Sequence, residues 1–258
     1  MKKMVRAGIA ACVLGLATVT AAGTVQAASD AQKPAKQYWQ HAGFLGTFDR
    51  ASLQRGFQVY KEVCAACHSM SLLAYRNLAA LGFSDAEIKA LAAEYTVIDG
   101  PNDQGEMYER PARASDRFKA PFANEAAARA AQNGAYPPDL SLIVKARHGG
   151  ADYLYSLLTG YGNPPAGMNM PTGMSYNMMF PGHMIAMPAP LSDGGVTFAD
   201  NTSATVQQQA RDVTTFLAWA AEPETEERKR MGLKVMLFLL LMSGVFYALK
   251  RKVWSDVH

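Results

Sequence analysis

Cys64-Ala65-Ala66-Cys67-His68 places two thiols three positions apart, with an imidazole directly after the second. At that spacing both sulfurs reach the two vinyl groups of one porphyrin, and the adjacent histidine comes underneath the ring as proximal iron ligand, the pattern of c-type haem attachment. Three other uses compete for the same residues: a redox dithiol, part of a zinc site and a structural disulfide. A redox CxxC is expected after a strand in a βαβ pattern, and no such pattern precedes it. Zinc requires further ligands, and the chain's only other cysteine is Cys12. In an exported chain, a CxxCH that closes an amphipathic helix reads as a haem site.

One histidine leaves the opposite face of the iron open. A methionine there raises the potential and saturates the metal, whereas an empty position permits small-molecule binding or peroxide chemistry. The candidates are His41, His148, His183 and a cluster of methionines: Met168, Met170, Met174, Met178, Met179, Met184 and Met187. Spacing alone selects none of them, since flexible thioethers also fill gaps in cores. Arg147 offers a planar fork suited to a carboxylate, or is a solvated surface charge. Pro138 lacks an N–H and can present a nearby backbone carbonyl toward the His68 ring, or is a turn proline.

The elements that position these residues are mostly helical. Leu53, Phe57, Tyr60 and Cys64 recur at i, i+4, i+7 and i+11 behind the possible caps Asp49 and Ser52, which predicts a helix ending near Cys64. Ser84-x-x-Glu87 is a capping box opening a helix over Asp85 to Tyr95. Further helices are expected from Asn124 to Asn133, closed by Gly134, from Leu140 to Arg147, from Ala151 to Thr159, closed by Gly160, and from Thr205 to Ala221. Strand patterns are scarce. Tyr161 to Asn201 is rich in Gly, Pro, Asn and Met with little periodicity, and loops of that length are usually functional or wrapped around something.

Two apolar segments bound this body. Residues 1–28 read as a secretory signal, with a basic start at Lys2, Lys3 and Arg6, an apolar run from Ala7 to Ala22 and Val25-Gln26-Ala27 as a cleavage pattern. A lipoprotein signal ending at Cys12 is the weaker reading, because the apolar run before Cys12 is short and continues past it. Met231 to Leu249 is nineteen residues interrupted only by Lys234; at ~1.5 Å per residue it spans roughly 28 Å, about the thickness of the hydrocarbon layer. Basic residues flank both ends of this segment, so their bias alone does not orient it. The signal does: it exports the body and leaves Lys250, Arg251 and Lys252 in the cytoplasm. The expected organisation is therefore a signal over 1–28, an exported domain over 29–227 and a membrane anchor with a short tail over 228–258. The exported part carries 15 basic and 21 acidic residues, a net charge of −6. That sign excludes a nucleic-acid binder, whose phosphate contacts are made by Lys and Arg.

Four stretches carry a resemblance to the cytochrome c1 family: Gly56 to Met70 (GFQVYKEVCAACHSM), Pro137 to Tyr161 (PPDLSLIVKARHGGADYLYSLLTGY), Phe180 to Leu191 (FPGHMIAMPAPL) and Asp212 to Lys234 (DVTTFLAWAAEPETEERKRMGLK). They cover almost the whole chain after the signal in the family's order, and the last two are specific to the family rather than to c-type cytochromes at large. The resemblance implies an all-α c-type cytochrome fold with long loop insertions and one C-terminal transmembrane helix. It implies one covalently bound haem c on Cys64 and Cys67, with His68 and Met187 as axial iron ligands. Arg147 matches the residue that pairs with a haem propionate, and Tyr153 and Pro138 match residues lining the haem.

The implied role is that of the haem c subunit of the quinol:cytochrome c oxidoreductase (bc1) complex. It takes electrons from the Rieske iron–sulphur protein and passes them to a soluble or tethered cytochrome c, beside cytochrome b in a dimeric complex of a bacterial inner membrane, with the haem domain in the periplasm. A stand-alone, membrane-tethered cytochrome is the alternative. Some bacterial relatives carry a cysteine pair near the axial-methionine loop; this chain lacks it, so packing alone is expected to hold that loop. The segment from Thr96 to Ala120 resembles the family least, and its Asp99, Asp103, Glu106 and Glu109 form either an acidic docking face for a basic cytochrome c or a solvated loop.

Overall fold

The computed structural model describes residues 32–255, so the signal segment and Cys12 lie outside the described residues. The body is all-α in class, built on two helices that cross at its centre. Helix α1, Arg50–Glu62, starts where the Asp49 carboxylate accepts the Ala51 N–H at 3.1 Å, and it buries Leu53, Gly56, Phe57 and Tyr60. That spacing puts all four on one face. Around it in chain order come α2 (Asp85–Ala93), a hairpin of β1 (Thr96–Asp99) and β2 (Tyr108–Pro111), α3 (Glu125–Ala131), α4 (Ile143–Ala146) and α5 (Gly150–Thr159). A second hairpin, β3 (Ser175–Tyr176) with β4 (Met184–Ile185), precedes α6 (Val206–Ala221) and α7 (Thr225–Val253).

Helices α1 and α6 meet backbone to backbone at Gly56. A Cβ there would lie 2.1 Å from the Asp212 carbonyl oxygen and 2.7 Å from the Phe216 Cβ, so the close approach requires glycine. Leu53, Phe57 and Tyr60 then interlock with Val213, Phe216 and Trp219 in the core. Gly56→Ala is expected to destabilise the fold by roughly 1–3 kcal/mol or more, since the obstructing atom is backbone and has no rotamer to change. The shift of the guanidinium unfolding midpoint measures it.

Local signals and structure agree at most helix starts. Ser84 and Glu87 form the reciprocal capping box, Asn124 caps α3, and Thr205 caps α6. Three expectations are corrected. The helix foreseen from Leu140 begins only at Ile143, because the Leu140 N–H goes to Ser69 O (2.8 Å) and the Ser141 N–H to Asp139 (2.8 Å). The helix expected to run to Tyr95 stops at Ala93, and Tyr95 O instead accepts from Ala112 N at 2.8 Å. That bond starts the β1–β2 pairing from Thr96↔Pro111 to Asp99↔Tyr108, so part of the segment read as a loop is a hairpin. Arg110 in β2 binds both Asp99 and Asp116, which neutralises Asp99 within that acidic run.

Helix α7 is long and apolar enough to cross a membrane, and its apolar side chains from Met231 to Leu249 are exposed. Its first turns are gripped by the N-terminal segment. Glu226 accepts from Phe48 N (2.7 Å) and Arg50 Nη2 (2.7 Å), and Lys229 Nζ donates to His41 O (2.7 Å) and Gly46 O (2.9 Å). The His41 ring stacks on Phe48 with centroids 4.6 Å apart. Burial, and then the Lys229 charge, lowers the His41 pKa from 6.5 to about 4. The unfolded chain thus takes up this proton near 6.5 and the folded chain only near 4. Stability is complete above the first value and is lost as pH falls toward the second. Urea unfolding across that window is expected to show a smaller acid loss for His41→Gln.

Candidate functional site

Beyond α1, the turn Cys64–Ala66 brings the three residues of the motif together. Cys64 O accepts from both Cys67 N (3.1 Å) and His68 N (2.9 Å). The ring nitrogen His68 Nδ1 donates to Pro138 O at 2.8 Å. A carbonyl only accepts, so the proton is assigned to Nδ1 and the Nε2 lone pair is left for a metal. Burial lowers the His68 pKa, opposed by the Pro138 carbonyl and Asp139, and favours the neutral imidazole that ligation needs.

The Pro138 carbonyl is itself held in place. Asp139 accepts from Ser69 Oγ (2.8 Å), Ser71 N (2.8 Å) and Ser141 N (2.8 Å), and Ser141 Oγ accepts from Leu72 N at 3.0 Å. Burial alone would raise the Asp139 pKa, but these hydrogen bonds hold it down at about 2. The residues after His68 and those after Pro138 are thereby laced along both strands of chain, which fixes the ring's orientation from behind. Of these, sequence reasoning missed Asp139. Its bond to Ser141 N is a local Asp-x-Ser turn that was readable, whereas its bonds to Ser69 and Ser71 were not.

Cys64 and Cys67 are free thiols, not a disulfide. Burial pushes the Cys64 thiol up to about 12, and Gln132 Nε2 lies 3.5 Å from Cys67 Sγ. Among the described residues no group of three or more His, Cys, Asp or Glu is placed to hold a metal ion. Two thiols beside an imidazole with a free Nε2 are the donor set a c-type haem requires, so the residues present fit that group.

A second row of residues runs from Arg147 to Met187. Arg147 is exposed, and its charge pulls against the burial that raises the pKa of the half-buried Tyr153 hydroxyl on α5. Tyr153 in turn adds to the burial that raises the Tyr161 pKa, and the Tyr161 hydroxyl donates to Met187 O at 3.1 Å. Cys64 and Tyr153 pack against the same hydrophobic core.

Met187 is half-buried and follows β4. Packing alone does not hold its loop, as the missing cysteine pair had suggested. Asn177, fully buried, donates from Nδ2 to Leu157 O (2.8 Å), accepts the Met179 N–H at Oδ1 (2.9 Å), and gives its own N–H to His183 O (3.0 Å). Sequence reasoning missed Asn177 and Tyr161, because an asparagine in a Gly/Pro/Met-rich stretch carries no local signal for such a role. The other candidates separate. Met179 is core, Met178 is about one-third exposed, His148 is exposed and His41 belongs to the α7 neck. His183 lies against Tyr176, and its buried Nδ1 has no hydrogen-bond partner.

Known proteins are similar to this chain over most of its length. The chain is 52% identical over 245 residues to "Cytochrome c1-2, heme protein, mitochondrial" of Solanum tuberosum, covering 94% of this chain and 92% of that protein. It is 49% identical over 237 residues to "Cytochrome b-c1 complex catalytic subunit, mitochondrial" of Candida albicans, covering 92% and 82% respectively. It is 50% identical over 248 residues to "Cytochrome b/c1" of Bradyrhizobium diazoefficiens, covering 88% of this chain and 36% of that longer protein. A model of the cytochrome C1 family matches residues 39–257, which takes in the Cys64–His68 turn, the Pro138 lacing, the Met187 loop and α7. On that continuous match, and on a site whose donors suit a haem c, the chain belongs to the cytochrome c1 family.

Proposed function

We propose that this chain is the haem c subunit of a bc1 complex, moving one electron at a time on the exported side of a bacterial inner membrane. Cys64 and Cys67 would hold one haem c through thioether bonds, His68 Nε2 and Met187 would ligate its iron, Arg147 would pair with a propionate, and Tyr153 and Pro138 would line the ring. When bound, the haem supplies reversible one-electron redox chemistry. The polypeptide orients the His68 imidazole through Pro138 O and sets the Met187 loop through Tyr161 and Asn177.

The observation that carries this reading is the CxxCH turn whose histidine is fixed by its Nδ1–H while Nε2 remains available. Its electron donor is the Rieske iron–sulphur protein and its acceptor is a cytochrome c, steered by the net negative body. Helix α7 anchors the chain in lipid beside cytochrome b, with the C-terminus in the cytoplasm and the complex dimeric. The names of the Candida and Bradyrhizobium relatives support membership of such a complex.

A reduced-minus-oxidised spectrum of the protein purified in mild detergent from native membranes tests the assignment. Stoichiometric b-type bands beside the c-type band are expected. A c-type band alone would favour a stand-alone tethered cytochrome.

A further inference from the structure

Between Trp39 and Phe48, which are 9% and 6% exposed, the chain makes a tight turn whose tip is solvated: Phe44 is 58% and Leu45 76% exposed. The turn is built rather than loose. Gly43 sits at φ +76°, and a Cβ on Gly46 would lie 2.0 Å from Ala42 O, so both glycines are needed to close it. Its base is clamped by one ammonium, since Lys229 Nζ holds His41 O at 2.7 Å and Gly46 O at 2.9 Å. Two adjacent large apolar side chains at the tip of a braced turn are costly in water and are a recurrent sign of an interaction surface.

The clamp also fixes the height of this tip. Along α7 the partners descend from Phe48 N on Glu226 to His41 and Gly46 on Lys229, so the N-terminal segment follows the helix toward its apolar span. Lys229 precedes Met231, the first residue of that span, by two positions, which is about 3 Å of helix. The headgroup layer on each side of a bilayer is roughly 5–7 Å deep, so a tip held at Lys229 lies within it. Arg228 and Arg230, which flank Lys229 on α7, pair with Glu222 and Glu226, and Lys234 is on the first turn of the span.

We propose that Phe44 and Leu45 insert into the headgroup–acyl boundary of the membrane that α7 crosses, as a second lipid contact of the haem domain. The proposal rests on α7 being a membrane span. Two contacts, one axial and one lateral, restrict rotation and tilt of the domain about the helix, where a single span leaves both open. A lipid surface is favoured over a protein partner because Lys229 clamps the tip to α7 just before the exposed apolar span begins.

The test is collision accessibility of a nitroxide placed at Leu45→Cys, at Ile98→Cys on the β1–β2 hairpin, and at Leu240→Cys in α7. The full-length holoprotein is reconstituted in bilayers of phosphatidylcholine with an anionic lipid, with the unsubstituted protein as labelling blank. At Leu45, oxygen, which concentrates in lipid, is expected to collide several-fold more than a water-soluble nickel chelate, relative to the ratio at Ile98. Leu240 is expected to favour oxygen more strongly still. A ratio at Leu45 equal to that at Ile98 places the tip in water and overturns the proposal. Low accessibility to both reagents means protein covers the tip and overturns it equally. If Leu240 itself favours the nickel chelate, the span reading fails and takes the proposal with it, a result distinguishable from failure at Leu45 alone.

Discussion

Met187→Leu is expected to lower the reduction potential by on the order of a few hundred millivolts, within the ~0.8 V range over which axial ligands tune haem proteins. It is also expected to make the ferrous protein bind carbon monoxide, which a saturated iron does not. A thioether stabilises the reduced iron, and leucine fills the same space without offering a donor. The substitution leaves the Tyr161 bond to the backbone carbonyl of residue 187, so the loop is expected to stay folded. Redox titration and carbon monoxide difference spectra check both effects. A variant that keeps its potential would place the ligand at another methionine of the Met168 to Met184 stretch.

The second large effect falls on stability. Asp212 is almost fully buried on α6, where it accepts from Arg55 Nε (2.7 Å), Arg55 Nη2 (3.2 Å), Ser52 Oγ (2.6 Å) and Gln208 Nε2 (2.8 Å). Arg55→Met removes the only counter-charge in that set and leaves a carboxylate between α1 and α6, at an expected cost of ~3–5 kcal/mol. Adding Asp212→Asn is expected to recover part of the loss, since an amide needs no cation and still accepts from Ser52. Chemical unfolding of the two variants beside the parent separates loss of the pair from loss of side-chain volume. A single variant as stable as the parent would mean that Ser52 and Gln208 alone satisfy Asp212. The effect extends to the site because α1 runs directly into the Cys64–Ala66 turn.

What the sequence made legible was local. Capping pairs such as Ser84 with Glu87, the Cys64–Ala66 turn and the apolar run after Met231 each act over a few residues, so local rules reach them. What stayed hidden depends on partners far apart in the chain. Lys229 reaches His41 O across 188 positions, and Arg55 reaches Asp212 across 157, with nothing near either residue to announce it. The shortened α4 has the same origin, because Leu140 satisfies Ser69 O instead of opening a helix. The Met187 loop is the extreme case. Its order comes from the Tyr161 hydroxyl on Met187 O and from one buried asparagine whose bonds go to Leu157, Met179 and His183, and composition there indicated only irregular chain. The resemblance to cytochrome c1 pointed to Met187 as the expected ligand, whereas the means of holding its loop emerged only from the fold.

The measurement closest to the central claim is haem retention after denaturation. The purified chain is unfolded and extracted with acidic acetone, which removes haem held only by its iron ligands, and the residue is scored by the pyridine haemochromogen spectrum. One c-type haem per chain is expected to remain in the protein, and Cys64→Ala with Cys67→Ala is expected to abolish it. Haem passing wholly into the acetone from the unsubstituted chain would contradict attachment at Cys64 and Cys67, and with it the proposed electron-transfer role.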